Sequence, residues 1–166
     1  MNLYLMRHAE AEDEAEAGGD EARPLTVRGR ARTRDAAGGL RALGLQFDVI
    51  LTSSLLRATE TAESVADEYA DSALVQVLPA LAPEVAPHEA LTALAPFAHH
   101  DEVLMVGHEP QLSSLAALLL NASGAVAIRL RKGACVALAL PETIEPGIAE
   151  LQWMLTQRQL RKLRKR

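Results

Sequence analysis

An apolar run, Asn2-Leu3-Tyr4-Leu5-Met6, ends on an arginine and a histidine, Arg7-His8. A second run, Asp48 to Thr52, leads into Ser53-Ser54-Leu55-Leu56-Arg57-Ala58-Thr59-Glu60-Thr61. A third, Val103 to Val106, leads into Gly107-His108-Glu109-Pro110. Arginine presents a planar, permanently charged fork that fits phosphate; histidine is a nucleophile or proton carrier that titrates near neutrality. Such groups at the end of a buried strand cost stability unless a ligand uses them, and the carboxyl ends of strands are where open α/β sheets form ligand crevices. Arg57 falls in the first turn of a helical pattern, whose free N–H groups also favour anions. Two guanidinium groups and at least one protonated imidazole would match the charge of a phosphoryl group, whose transfer is mainly positioning and stabilisation of its equatorial oxygens. Residue chemistry alone leaves His8 and His108 interchangeable as the attacking group.

The elements that must position these residues alternate in type. After the first strand, residues 10–24 form an acidic, Ala- and Gly-rich loop. Thr26 is an N-cap for a helix running to about Leu43, weakened by Gly38-Gly39 and stopped near Gly44. Ser53 or Ser54 caps the next helix, in which Ala58, Ala62, Val65 and Tyr69 recur at helical spacing as a buried stripe. Val75 to Leu78 reads as a short strand, followed by a Pro-punctuated loop and a short helix from about His88 to Leu94. Pro110 suits the first turn of a helix with Leu112, Leu115, Ala116 and Leu119 on its core face. Val126 to Leu130, Ala134 to Leu140 and Ile148 to Trp153 read as late strands. Alternating βα units with connections too long for hairpins predict a three-layer α/β/α sandwich with a mostly parallel central sheet.

Together with Arg23-Pro24-Leu25-Thr26-Val27-Arg28-Gly29, these segments resemble the histidine phosphatase superfamily, the phosphoglycerate mutase-like family. Its motifs are an RHG or RHA turn, an S-x-x-x-R-A-x-x-T helix start and a late G-H or S-H turn. The Arg-Pro-Leu-Thr-x-x-Gly element and the short chain are most similar to the small bacterial phosphohistidine phosphatases of the SixA type. The likeness spans roughly Leu3 to Gly133 in the order the family requires, with Ala9 in place of the commoner glycine and Ser54 where relatives often carry proline. It implies that His8 is the nucleophile and forms a covalent phosphohistidine that water hydrolyses. It further implies that Arg7 and Arg57 bind the phosphoryl oxygens with His108 as a further donor. Larger relatives insert a cap between the second and third motifs, carrying a general acid. Only 45 residues separate Thr61 from Gly107, which leaves no room for that insertion.

The missing cap bears on the substrate. An alkoxide is a poor leaving group that benefits from an acid, whereas imidazole, with a pKa of about 6.5, departs as a neutral base once protonated. The expectation is therefore a phosphohistidine phosphatase acting on a protein-borne phosphoryl group. The alternatives are a small-metabolite phosphomonoesterase or mutase-like enzyme, and a non-catalytic module that binds phosphoproteins. The secondary positions carry two readings each. Thr61, one turn after Arg57, either orients that side chain or packs as a helix hydroxyl. Arg23 reaches the phosphate or stays in the loop; Ser53 contacts ligand or caps its helix. Glu84 is the one nearby candidate general acid, or a solvated carboxylate. His88 and His99-His100-Asp101 read as polar loop, and no Asp/Glu cluster has metal-ligand spacing, so neither metal nor cofactor is expected.

Composition narrows the class. The chain has 166 residues, a formal charge of −5 and 49% apolar residues. A single domain over 1–155 with a basic tail over 156–166 is the simplest division. Cys135 lies in an apolar run and reads as a small core residue. The last nine residues hold six cations and no acid, leaving 11 basic against 22 acidic residues in the body. An acidic body argues against nucleic-acid binding. No basic n-region precedes the first apolar run and no segment reaches membrane-spanning length, which predicts a cytoplasmic protein that does not engage a membrane. The tail reads as a frayed, solvated helix end with Leu160 and Leu163 as its apolar contacts.

Overall fold

Strand β1, Asn2–Arg7, explains the layering. Successive side chains on a strand point to opposite faces, so Leu3 and Leu5 enter one core while Tyr4 and Met6 enter another. The computed structural model describes residues 1–14, 18–69, 74–121, 126–141 and 143–164. Among these, five further strands join β1: β2 Val49–Thr52, β3 Leu74–Val77, β4 Glu102–Gly107, β5 Cys135–Ala139 and β6 Glu150–Leu155. The sheet order is β3-β2-β4-β1-β5-β6. The first four strands are parallel, and β5 and β6 add as antiparallel neighbours on one side. The expected mostly parallel three-layer sandwich is present.

Helices α1 (Val27–Ala42) and α2 (Leu56–Tyr69) cover the Tyr4/Met6 face. Helices α3 (Pro87–Leu94) and α4 (Gln111–Leu120) cover the Leu3/Leu5 face. The segment between Thr61 and Gly107 holds only the rest of α2, β3, α3, β4 and two 3₁₀ turns among its described residues, with no cap domain. Its residues 70–73 lie outside the description. Thr26 caps α1 as expected, accepting the Gly29 amide at 2.8 Å.

Two expectations are corrected. Val126 to Leu130 forms no strand. β5 already occupies the edge of β1 that a late strand could pair with, and Leu130 is buried from an irregular segment instead. Nor is the tail frayed: Gln157–Leu163 forms a helix, α5, started by a capping box between Thr156 and Gln159. Leu160 is fully buried against α1. The contact explains Gly38-Gly39. A Cβ on Gly39 would lie 2.0 Å from the Leu160 carbonyl oxygen, and one on Gly38 would lie 2.9 Å from the Arg164 side chain. The glycines cost helix propensity and permit close helix–helix approach.

Candidate active site

Strand register brings the motif residues to one point. Arg7 pairs with Gly107 and Thr52 with Val106, so His8, Ser53 and His108 all leave adjacent strands at the same carboxyl edge. Two backbone bonds fix this corner: the His8 amide donates to Gly107 O at 3.0 Å, and the Ser53 amide to Val106 O at 3.1 Å. The His8 and His108 rings stand 5.0 Å apart between centroids, and both are almost wholly buried.

His8 Nδ1 lies 2.7 Å from its neighbour's carbonyl oxygen, Ala9 O. A carbonyl can only accept, so Nδ1 carries the proton and the Nε2 lone pair is free. Burial lowers the pKa of this imidazole to about 3, reinforced by His108 and, more weakly, by Arg57 and Arg7. His108 is lowered to about 4, again chiefly by burial and then by Arg57. Both rings thus favour the neutral form in the free site. Low proton affinity keeps the His8 Nε2 lone pair unprotonated at neutral pH without a base to deprotonate it. His108 Nε2 is 2.9 Å from Ser53 Oγ, which also accepts the Leu55 amide at 3.2 Å. The Ser53 hydroxyl proton can then go to His108 Nε2, leaving the ring proton on Nδ1, a buried atom with no partner. Ser53 thus hydrogen-bonds His108 and stands in the turn before α2, whose first residue is Leu56.

Both arginines already have partners on the protein. Arg7 Nη1 donates to Leu130 O at 3.1 Å, and burial lowers the Arg7 pKa from its ordinary value. Arg57 Nη1 donates to Asp20 O at 2.7 Å and Nη2 to Asp20 Oδ2 at 3.0 Å. The other Asp20 oxygen accepts from Arg23 Nη1 at 2.9 Å. Arg23 chiefly, with Arg57, holds the Asp20 carboxyl below its usual range. Nε of both Arg7 and Arg57 is buried without a partner, as is His108 Nδ1. Buried donors left unpaired in a folded protein call for an explanation; three of them belonging to one cluster at a strand edge constitute a cradle for an anion.

Thr61 is fully buried; its hydroxyl donates to Arg57 O at 2.7 Å and accepts the Ala9 amide at 3.1 Å. It joins the turn after His8 to the helix that carries Arg57, without touching the guanidinium. The Thr26/Gly29 corner holds the same turn one residue later. The Thr26 amide donates to Glu10 O at 3.0 Å, and a Cβ on Gly29 would lie 2.1 Å from that oxygen.

Comparison with known proteins gives this arrangement a family. The sequence model described as the histidine phosphatase superfamily (branch 1) matches residues 3–82. An uncharacterised protein of Picosynechococcus sp. is 37% identical over 148 residues, covering 81% of this chain and 87% of its own. The chain belongs to the histidine phosphatase superfamily. The phosphohistidine phosphatase SixA of Escherichia coli is 35% identical over 83 residues, half of each chain. A structure of the protein histidine phosphatase SixA with tungstate superposes with a TM-score of 0.85 at 27% identity, covering 96% of this chain and 99% of that one. The chain is thus a histidine phosphatase superfamily protein of SixA-type architecture.

Within that superfamily frame, the site gathers Arg7, His8, Arg57 and His108, with Ser53 and Thr61 behind them and Arg23 joined through Asp20. Glu84 is exposed, and none of its atoms hydrogen-bonds or pairs with these residues. His88 is also exposed, and the His99 and His100 rings lie 4.0 Å apart, tilted by 37°, in the turn before β4. No group of three potential metal ligands occurs among the described residues. No helix among them is long and apolar enough to cross a membrane. Cys135 is a fully buried core residue, and burial pushes its thiol pKa up.

Sequence reasoning missed Asp20, Gln111 and Glu109. Asp20 was one of seven acids in residues 10–24, with no periodicity to distinguish it. Gln111 is buried and donates through Nε2 to Ala80 O at 2.6 Å and Val85 O at 3.0 Å, tying the Glu84-bearing turn to the start of α4. A long polar side chain at the first position of a helix otherwise made of Leu, Ala and Ser was its signal. Glu109 accepts from the Ser113 hydroxyl and opposes the lowering of the Arg7 pKa.

Proposed function

We propose that this chain is a metal-independent phosphohistidine phosphatase acting on phosphoryl groups carried by another protein, through a covalent intermediate on His8. The supporting observation is the pairing of a neutral, Nε2-free His8 with unpartnered donors on Arg7, Arg57 and His108, at an edge that no cap domain covers. His8 Nε2 attacks phosphorus in line. The new P–N bond forms as the substrate's P–N bond breaks, and the substrate imidazole, protonated on its other nitrogen, departs neutral. The guanidinium groups and His108 Nδ1–H take the equatorial oxygens. The Ala9 carbonyl stays on His8 Nδ1–H and favours the positive character that the phosphorylated ring acquires. Water then attacks phosphorus on the far side, the His8–P bond breaks, and inorganic phosphate leaves with the proton balance made up from that water.

The leaving group in this exchange is an imidazole that departs neutral once protonated on its other nitrogen, so it requires no acid at the position where Glu84 stands exposed. A sugar phosphate would require one. The test is a side-by-side comparison of a phosphorylated histidine phosphotransfer domain, phosphoramidate and sugar phosphates. We expect kcat/KM for the P–N substrates to exceed that for sugar phosphates at least ~10-fold, which needs only about 1.4 kcal/mol of differential barrier. Equal or faster turnover of a sugar phosphate would overturn the substrate assignment, and failure to trap phosphate on His8 by acid-labile, base-stable labelling would overturn the mechanism.

A further inference from the structure

The cations of this chain are unevenly matched. Asp20, Glu10, Glu60, Glu68 and Asp35 pair with the arginines of the loop, α1, α2 and the outer side of α5. Apart from Arg7 in the site and Arg34 on α1, the described cations without an ion pair are Arg129, Arg131, Lys132, Arg158 and Lys162. Four of these line one concavity of about 550 Å³, with no acid in its wall. Arg131 and Lys132 enter from the segment before β5, Arg158 and Lys162 from α5. Gln157, on the same wall, has its Nε2 buried with no partner. The charge of Lys132 is felt at Glu10, which is engaged by Arg28 and Arg32.

Strand register puts this concavity beside the active site. Met6 pairs with Cys135, and Cys135 with Leu155, so the chain leaving β6 into α5 emerges at the edge where His8 emerges from β1. The 129–133 segment belongs to both places. Leu130 O receives Arg7 Nη1, the Gly133 amide donates to Arg7 O and His8 O at 3.0 and 3.2 Å, and the charge of Arg129 is felt at Arg7. A protein presenting a phosphoryl group to His8 must lay the surface around it over this segment and α5.

We infer that the Arg131/Lys132/Arg158/Lys162 concavity is a docking surface for an acidic segment of the phosphoprotein substrate. This rests on the proposed action on protein-borne phosphohistidine. The charge pattern favours a compact acidic partner over an extended polyanion. The chain as a whole carries −5 with these cations included, so a nucleic-acid strand or anionic bilayer would meet repulsion beyond the patch. Unpaired, exposed cations beside a reaction centre raise encounter rates and orient the complex more than they hold it.

The experiment uses the full chain with Arg158→Glu/Lys162→Glu, two exposed positions outside the phosphoryl cradle, and Arg131→Ala/Lys132→Ala as a second variant. Turnover of an acidic phosphorylated phosphotransfer domain is compared with turnover of phosphoramidate at low and high salt. For the α5 variant we expect kcat/KM on the protein to fall at least ~10-fold at low ionic strength, mostly through KM. The gap should shrink as salt screens the surface, while kcat/KM on phosphoramidate stays within about twofold at high salt, where exposed charges are screened. The loop variant should fall in the same sense on the protein. Undiminished protein turnover in both variants overturns the docking surface alone. Parallel loss on both substrates overturns it as well, because the effect is then on the fold or the cradle. Wild-type enzyme that turns over phosphoramidate and not the phosphoprotein overturns the substrate reading, and the surface with it. Salt-sensitive binding to anionic phosphatidylserine vesicles, lost in the variants without any change on the phosphoprotein, would assign the patch to a membrane and overturn the proposal.

Discussion

Asp20 lays a carboxylate on Arg57, one arm of the proposed anion cradle, and Asp20→Asn measures what it costs a ligand to compete with it. Its carboxylate bridges Arg57 and Arg23 at 3.0 and 2.9 Å, yet its side chain is 44% exposed. An ion pair with that much water contact is worth only about 0.2–1 kcal/mol, and two such contacts on one carboxylate bound the sum near ~1–1.5 kcal/mol. Asparagine keeps the size and one acceptor while removing the charge, so the guanidinium of Arg57 stays oriented. A tetrahedral oxyanion would then no longer compete with Asp20 for the fork. The expected gain in affinity is between about 2-fold and 10-fold, at 1.4 kcal/mol per decade. Competitive inhibition by tungstate or vanadate against phosphoramidate reads it directly, at low salt and again near 1 M, where the Debye length falls to ~3 Å and the gain should contract. Unchanged or weaker inhibition refutes the reasoning and makes Asp20 a structural support of Arg57 rather than a competitor.

Five further outcomes follow from the same geometry. His8→Ala should abolish turnover with the fold retained, and Arg57→Ala should lower kcat about 10²–10³-fold, the loss seen when one electrostatic donor to a developing oxyanion is removed; steady-state kinetics decide both. The His8 and His108 pKa values of about 3 and 4 lie below the ordinary histidine value, so the unfolded chain binds more protons in acid. Stability contributed by the neutral rings is complete above about pH 6.5 and is lost as pH falls toward the folded values. Thermal unfolding across pH 7 to 4 should therefore fall more steeply for wild type than for His8→Ala. Gly39→Ala should push α5 off α1, since its Cβ would lie 2.0 Å from Leu160 O; exposing Leu160 costs about 2–3 kcal/mol, visible as a lower denaturant midpoint. Activity should survive exhaustive chelation, and loss with EDTA restored by a divalent ion would refute the all-Arg/His cradle.

The sequence disclosed those parts of the site whose chemistry conflicts with their local setting. Arg7 and His8 end a strand that is otherwise apolar, and His108 does the same after Val103–Val106, so burial patterning alone marks them. Thr61 was legible as a position, and its task was not: a hydroxyl one turn beyond Arg57 gives no sign that it will accept the amide of Ala9, 52 residues away in the chain. Asp20 was hidden because exposed loop acids obey no period. The tail was misread for a related reason. Its charge pattern resembles a solvated helix end, and the residues that dock it, Gly38 and Gly39, look like flaws in α1 until the second helix is in place. Val126–Leu130 carried an incorrect strand and a burial signal right only at its end, where Leu130 is buried while Val126 is exposed, because apolar alternation does not record which sheet edge is free.

The placement of β1 has a consequence for how the molecule assembles. The strand that delivers Arg7 and His8 comes first in the chain and sits in the middle of the sheet, between β4 and β5. Its partners are Glu102 to Gly107 on one side and Cys135 to Ala139 on the other. During synthesis it must wait for both, exposing Leu3, Leu5 and Met6 meanwhile. Contacts this distant in sequence are entropically costly to close and slow folding. Arg7 is a charged residue at the end of that waiting strand, with β-strand edges on both sides still open, and charge at such a position discourages pairing with other chains. The same side chain that would later hold a phosphoryl group thus also guards the nascent chain against wrong partners.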